Sequence, residues 1–228
     1  MKELEAAIAL IGKRMVACDQ KCAGISCDQS NGMLPRCLIL ESVDQSSESG
    51  CVIVGLNPGH AKAAEIAYYK KVGATYEATV QYWRDHITAW SYYKNLRRLM
   101  KSFNLNGPIL WTELAKCENA TGSKYQPLNA LRVCAGKFLI DELKEIPPEW
   151  PLIGISRETY RALAYLYPDR TVIGVPHVTS AFGKQFSRLL ELDSESKEVV
   201  RRALSSHGEL LWLGDVGHKI VEKKPGSV

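Results

Sequence analysis

The sequence predicts an α/β protein, three layers α/β/α around a short, mostly parallel central sheet. Three observations predict it: short runs that are apolar throughout, as strands buried on both faces are; amphipathic segments of helical spacing between them; and the strand, helix, strand succession itself. In chain order, residues 4–16 have helical spacing, 37–40 and 51–55 (CVIVG) read as strands, and 91–103 as a helix. Residues 108–111 form the next strand, 128–146 the next helix, 151–155 a strand, and 157–167 a helix for which Ser156 is a candidate N-cap. A strand over 171–175 and helical patterns over 186–192 and 195–205 close the series. The polar stretch DQSSESG at 44–50 reads as a surface loop. No interdomain linker interrupts the rhythm, so one domain over 1–217 is expected, followed by a tail at 218–228.

With 228 residues, 46% hydrophobic and 24% charged, the chain has globular composition, and a chain of this size buries about 70% of its unfolded surface without disulfide help. A net charge of +4 excludes the strong field of a histone-like protein and leaves room for a local basic patch. There is no apolar run of membrane-spanning length, and the apolar run at 6–11 is short and lacks a basic leader, so a cytoplasmic protein without a membrane partner is expected. Seven cysteines, an odd number, suit a reducing compartment better than a disulfide scaffold, and leave thiols for metal binding, catalysis or packing.

Three segments carry candidate chemistry. Gly55-Leu56-Asn57-Pro58-Gly59-His60 follows the strand at 51–55; ligands collect at the carboxyl ends of parallel strands, where a glycine-bounded turn lets Asn57 and the backbone approach a substrate. A plain strand-ending Asn-Pro-Gly turn is the competing reading. Cys117 and Cys134, with Cys18, Cys22 and Cys27 near the end of the first helix, could close a four-sulfur site for zinc or an iron-sulfur cluster; buried packing competes, and is the better reading for Cys37 and Cys51. The third segment, 175–184 (VPHVTSAFGK), sets His177, Thr179, Ser180 and Lys184 after another strand, at the expected sheet edge of Asn57, where they could hold a polar ring and a phosphate backbone; a histidine satisfied within its loop competes.

In this order and rhythm, GLNPG at 55–59, WTELAKC at 111–117, RVC at 132–134, VPHVTS at 175–180 and the cysteines from Cys18 to Cys22 resemble the uracil-DNA glycosylase superfamily. The iron-sulfur-containing family 4 group is the nearest branch, and the resemblance spans roughly residues 4–192. GLNPG is more similar to the mismatch-specific and single-strand-selective branches, whose asparagine orients a water. Glu113 stands where family 4 has an asparagine that reads uracil, and Val178-Thr179 follow the histidine in place of Pro-Ser. The first cysteines are spaced C-x3-C in place of C-x2-C, so Cys27 could replace Cys18 or Cys22.

The resemblance implies a DNA glycosylase acting on uracil or another deaminated or damaged base in DNA, as a monomer, with a 4Fe-4S cluster (alternatively zinc) on Cys18, Cys22, Cys117 and Cys134 in a structural role. It gives His177 a hydrogen bond to the departing base, Asn57 a water beneath the sugar, and Glu113 the base edge or that water. Gly55, Leu56, Pro58 and Gly59 would frame the base; Tyr68, Tyr69 or Tyr76 would stack on it, or cover the sheet edge instead. Lys62, Lys70, Lys71, Lys184 and Arg188 could line the phosphates, with a solvated surface competing. Two rival classes are a non-catalytic iron-sulfur nucleic-acid-binding protein of the same fold and a structural zinc protein.

Overall fold

A computed structural model describes residues 1–42, 50–120, 128–179 and 183–214. In chain order it contains α1 (Lys2–Val16), β1 (Ile25–Ser26), β2 (Ile39–Glu41), β3 (Cys51–Gly55), α2 (Ala63–Val72), α3 (Tyr76–Tyr82) and α4 (Ser91–Ser102). Then come β4 (Ile109–Glu113), β5 (Glu118–Asn119), α5 (Leu128–Cys134), α6 (Ile140–Glu145), β6 (Leu152–Ile155), α7 (Arg157–Leu166), β7 (Val172–Val175), α8 (Gly183–Leu190), α9 (Ser194–Ser205) and β8 (Leu210–Trp212). Two π-helical turns, Trp83–Ile87 and Ala135–Leu139, continue α3 and join α5 to α6.

The central sheet has six strands in the order β2-β4-β3-β6-β7-β8 and is mostly parallel, with helices around it in a three-layer α/β/α fold. β6, β7 and β8 run parallel, while β2 lies antiparallel to β4. All residues of β3, β6 and β7 are buried, which is why these strands read as unbroken apolar runs without alternation. β1 and β5 form a separate two-residue antiparallel ladder. Among the described residues no helix is long and apolar enough to cross a membrane.

The chain groups into two compact units. In the first (Met1–Ser42, Ile53–Trp90, Ile109–Pro147), α1 packs on α3, α6 and β2 through Ile8, Ile11, Met15 and Val16. A Cβ on Gly12 would strike the Tyr76 ring, so the glycine lets that ring lie against the helix backbone. In the second unit (Val43–Val52, Ser91–Pro108, Pro148–Val228), α7 covers β6 and β7. Gly154 permits the approach, since a Cβ there would meet the Tyr160 backbone at 2.9 Å. The Val52 N–H donates to the Pro151 carbonyl (3.0 Å) and α4 packs on α8.

Where sequence and structure differ, the causes are local. The strand expected over 37–40 starts at Ile39, because Cys37 has φ +69°, a left-handed conformation that no strand residue adopts. α2 buries only Glu65 and Tyr69 and shows no apolar stripe, so periodicity missed it. The helix expected over 128–146 is two helices joined by a π-helical turn. β8, three residues long, is a strand that the sequence reading does not predict. The loop expected at 44–50 lies, except for Gly50, outside the described residues, as does the tail at 218–228.

Ser156 is the N-cap of α7: its side chain accepts the Thr159 N–H (3.3 Å) while its backbone holds φ +90°. Ser156→Ala loses the cap and keeps the backbone strain, so it should cost about 1 kcal/mol in urea unfolding. Ser156→Gly relieves the strain and should cost less.

Candidate functional site

The turn after β3 is held at both ends within the first unit. At its start, the Leu114 N–H donates to Gly55 O (2.9 Å) and the Ala115 N–H to Leu56 O (3.0 Å). At its end, the Arg36 guanidinium donates to Gly59 O, and the Ala61 N–H donates to Glu118 Oε2 (2.7 Å). Arg36 also pairs with Glu118 (2.8 Å) and Glu65 (3.2 Å), and all three side chains are buried. Burial would raise the Glu118 carboxyl, but hydrogen bonds from Arg36 and the Ala61 N–H bring it below the usual glutamate value. Glu65 is raised, by burial that Arg36 only partly offsets. His60 Nδ1 lies 3.5 Å from Glu118 Oε1.

Between these anchors, Asn57 is half-buried and its side-chain amide donates to Pro58 O (3.1 Å). Pro58 is buried and Gly59 exposed. Glu113, at the end of β4, turns its carboxyl onto Gly55, where any Cβ would collide with it. Its Oε2 is buried without a hydrogen-bond partner among the described residues. Burial pushes this carboxyl up to about 8, with Lys116 and Arg36 offsetting part of the rise, so at neutral pH it is mainly protonated and offers one donor and one acceptor.

Beneath it, Lys116 is wholly buried: Nζ meets the Glu142 carboxylate at 2.8 and 2.9 Å and donates to Glu113 O (2.7 Å) and Thr112 Oγ1. Thr112 Oγ1 in turn donates to Glu142 (2.6 Å). This pair fixes the chain just before Cys117.

Five cysteines, Cys18, Cys22, Cys27, Cys117 and Cys134, line one small cavity of about 20 Å³; Cys37 and Cys51 do not. The Lys116 N–H donates to Cys134 Sγ (3.2 Å) and Lys137 Nζ to Cys18 Sγ (3.4 Å). A hydrogen bond from Cys117 is the largest influence on Cys27, and it holds that thiol below its ordinary value. Burial alone pushes Cys51 up to about 12, as for an inert core thiol. The donor set suits a thiolate-bound group: no carboxylate or imidazole lines the cavity, and an N–H donor already faces one sulfur. Among the described residues, no group of three or more His, Cys, Asp or Glu has the placement to hold a metal ion, so the thiols share a cavity without converging on one point. Cys27 is thus placed alongside the four expected ligands.

In the second unit, His177 follows β7, half-buried, with its ring 5.8 Å from that of Tyr92. Burial lowers its pKa, and Nδ1 accepts the Thr179 N–H (3.3 Å), which leaves the proton of the neutral ring on Nε2. Lys184 and Arg188 are exposed on α8; Ser180 lies outside the described residues.

The three tyrosines separate. Tyr76 is packed on Gly12, and Tyr69 is buried, so neither offers a free face to a base; both are corrections to the stacking expectation. Tyr68 lines an open groove with Lys62 and Lys71, and Lys70 is exposed nearby. Sequence reading missed Arg36, Glu65, Glu118 and Glu142. The available signal was a charged residue inside an apolar run, Arg36 in LPRCLIL.

No family model matches this chain, and no curated protein matches it. Arg36→Ala would strand two buried carboxylates, so it should lower unfolding free energy by about 3–5 kcal/mol in a denaturant titration, with Arg36→Lys restoring only part because an ammonium lacks the fork. The Glu118 contribution should be present above the ordinary glutamate pKa and fade as pH falls through the depressed one.

Proposed function

We propose that this protein is a DNA glycosylase that hydrolyses the N-glycosidic bond of uracil or another deaminated or damaged base. The observation that supports it most is the buried, unpartnered Glu113 carboxyl set against Gly55, beside the anchored turn that bears Asn57. A polar atom buried without a partner costs free energy, and a ligand that satisfies it recovers that cost.

The chemistry asks for an extruded nucleotide, a reader of the base edge, a donor to the departing base and a placed water. Protonated Glu113 matches a base edge of the form –NH–C(=O)–, donating O–H to the carbonyl and accepting the N–H. A carboxyl that is mainly protonated at neutral pH can donate as well as accept, which suits reading a base edge. His177 donates Nε2–H to an oxygen of the leaving base and stabilises the anion as it forms. Asn57 positions water below a sugar of oxocarbenium character, where a strong base is not needed.

An iron-sulfur cluster, held by four of Cys18, Cys22, Cys27, Cys117 and Cys134, would supply a structural cross-link between the chain after α1, the chain after β4 and α5. Zinc is the alternative. Lys116 and Glu142 hold Cys117 in place for either.

The decisive experiment incubates the protein with oligonucleotides bearing uracil, hypoxanthine, xanthine or a thymine mismatch and then cleaves abasic sites with alkali. Base release is expected from at least one. His177→Ala should reduce it about 100- to 1000-fold, and Asn57→Ala by a similar or smaller factor. Excision should decline as pH rises past about 8, and Glu113→Gln, which keeps one donor and one acceptor at every pH, should flatten that limb. Full activity in both His177→Ala and Asn57→Ala, or no release from any substrate, overturns the reading.

Anaerobically purified protein should be brown, with thiolate-to-iron absorption, and Cys117→Ala should bleach it while Cys37→Ala does not. Colourless protein with stoichiometric zinc would sink the iron assignment.

A further inference from the structure

Beside the turn after β3, the first unit carries an open groove of about 420 Å³ that shares no lining residue with the Gly55–Glu113 contact. Its walls are Tyr68, Tyr82, His86 and Trp90, with Lys62 and Lys71 at the rim and two alanines between. The rings form a continuous series: Tyr68 to Tyr82 at 5.1 Å and Tyr82 to His86 at 4.6 Å between centroids. Trp90 is 37% exposed, unusual for an indole, and Lys62 Nζ sits 4.1 Å from its ring centroid.

Burial of Tyr82 accounts for one side of this series, where it packs with Leu34, Tyr69 and Ala78. It does not account for the indole left in solvent. Charge is sorted as well. The three carboxylates between residues 62 and 90 are all engaged away from the groove: Glu65 with Arg36, Glu77 with Lys13, and Asp85 with Gln81. What faces the groove is aromatic surface and positive charge.

We propose that this groove binds single-stranded DNA next to the excised nucleotide, with a base stacked on Trp90 and phosphates on Lys62 and Lys71. In a duplex the base faces are covered by their neighbours, so an outward aromatic wall engages only unstacked bases. Aromatic faces beside a cationic rim are the combination by which single strands are held without sequence preference. The inference names the strand form taken by the glycosylase proposed above and rests on that reading for its role, while the binding itself involves no chemistry.

The test is fluorescence anisotropy of the full chain with labelled, undamaged oligodeoxythymidine and with a duplex of the same length, across a salt series. Wild type should prefer the single strand. Trp90→Ala should weaken it about 5- to 100-fold, the range expected for loss of one base stack, and Trp90→Phe should restore most of the affinity. Lys62→Gln and Lys71→Gln should each make the salt dependence shallower by about 0.7 in log-log slope. Thermal unfolding should show Trp90→Ala folded, since its side chain is exposed. Equal or tighter duplex binding, no binding, or a Trp90→Ala affinity within twofold of wild type overturns the proposal. Base excision with Trp90-independent binding would remove the groove and leave the glycosylase; Trp90-dependent binding without excision from any substrate would do the reverse.

Discussion

Three charges buried together, Arg36, Glu65 and Glu118, are the constraint on which the candidate site depends. Removing ions from water costs several kcal/mol each, and the arrangement is tolerable because each charge meets an opposite one and Arg36 and Glu118 also bond to the main chain. Those main-chain partners, Gly59 O and the Ala61 N–H, belong to the turn after β3. With Gly55 and Leu56 tied to the chain beyond β4, the turn is fixed at both ends, and Asn57 is presented from a rigid frame although it sits on a loop. Glu118 is also the neighbour of Cys117, so one short segment both anchors the turn and bears a thiol.

Much of the sheet was legible because parallel strands buried on both faces leave a signature that survives without alternation: 51–55 matches β3 fully, and 151–155 and 171–175 each match to within one residue. The same logic fails for α2, whose buried face is made of Glu65 and Tyr69, since a buried glutamate carries no apolar signal. Its burial follows from Arg36, which comes from 29 positions earlier in the chain, and no local pattern encodes that partnership. Among the candidate site residues, Asn57 and His177 are legible because each follows an apolar run, whereas Glu113 is singled out only by the resemblance of WTELAKC to the glycosylase motif. Tyr69 and Tyr76 could not be told from Tyr68, because three tyrosines within nine positions differ only in which helix face they occupy and in what lies opposite, such as the missing side chain of Gly12.

Two glutamates five positions apart show how placement alone sets chemistry. Glu118 meets a guanidinium and a main-chain N–H and stays ionised, an anchor. Glu113 meets neither at its Oε2 and is driven toward its neutral form, a donor as well as an acceptor. Lys116 offsets this only in part, since its ammonium is committed to Glu142, Thr112 and the Glu113 carbonyl rather than to the Glu113 carboxylate. The buried Lys116–Glu142 pair therefore fixes the chain while offsetting only part of the rise at Glu113.

The cysteines follow a related logic. A cluster of the four-cysteine kind requires thiolates, and thiolates in a small cavity repel one another, so neighbouring donors are needed to make their formation favourable. Lys137 reaches Cys18, and the Lys116 N–H reaches Cys134, which leaves Cys22, Cys27 and Cys117 to share what remains. Cys27 is lowered by its hydrogen bond from Cys117, whereas Cys22 is raised by burial and by Cys18 and Cys27 beside it. The hydrogen bond that lowers Cys27 raises Cys117 by the same contact, so it favours neither thiol over Cys22, and burial raises Cys22 and Cys134 alike.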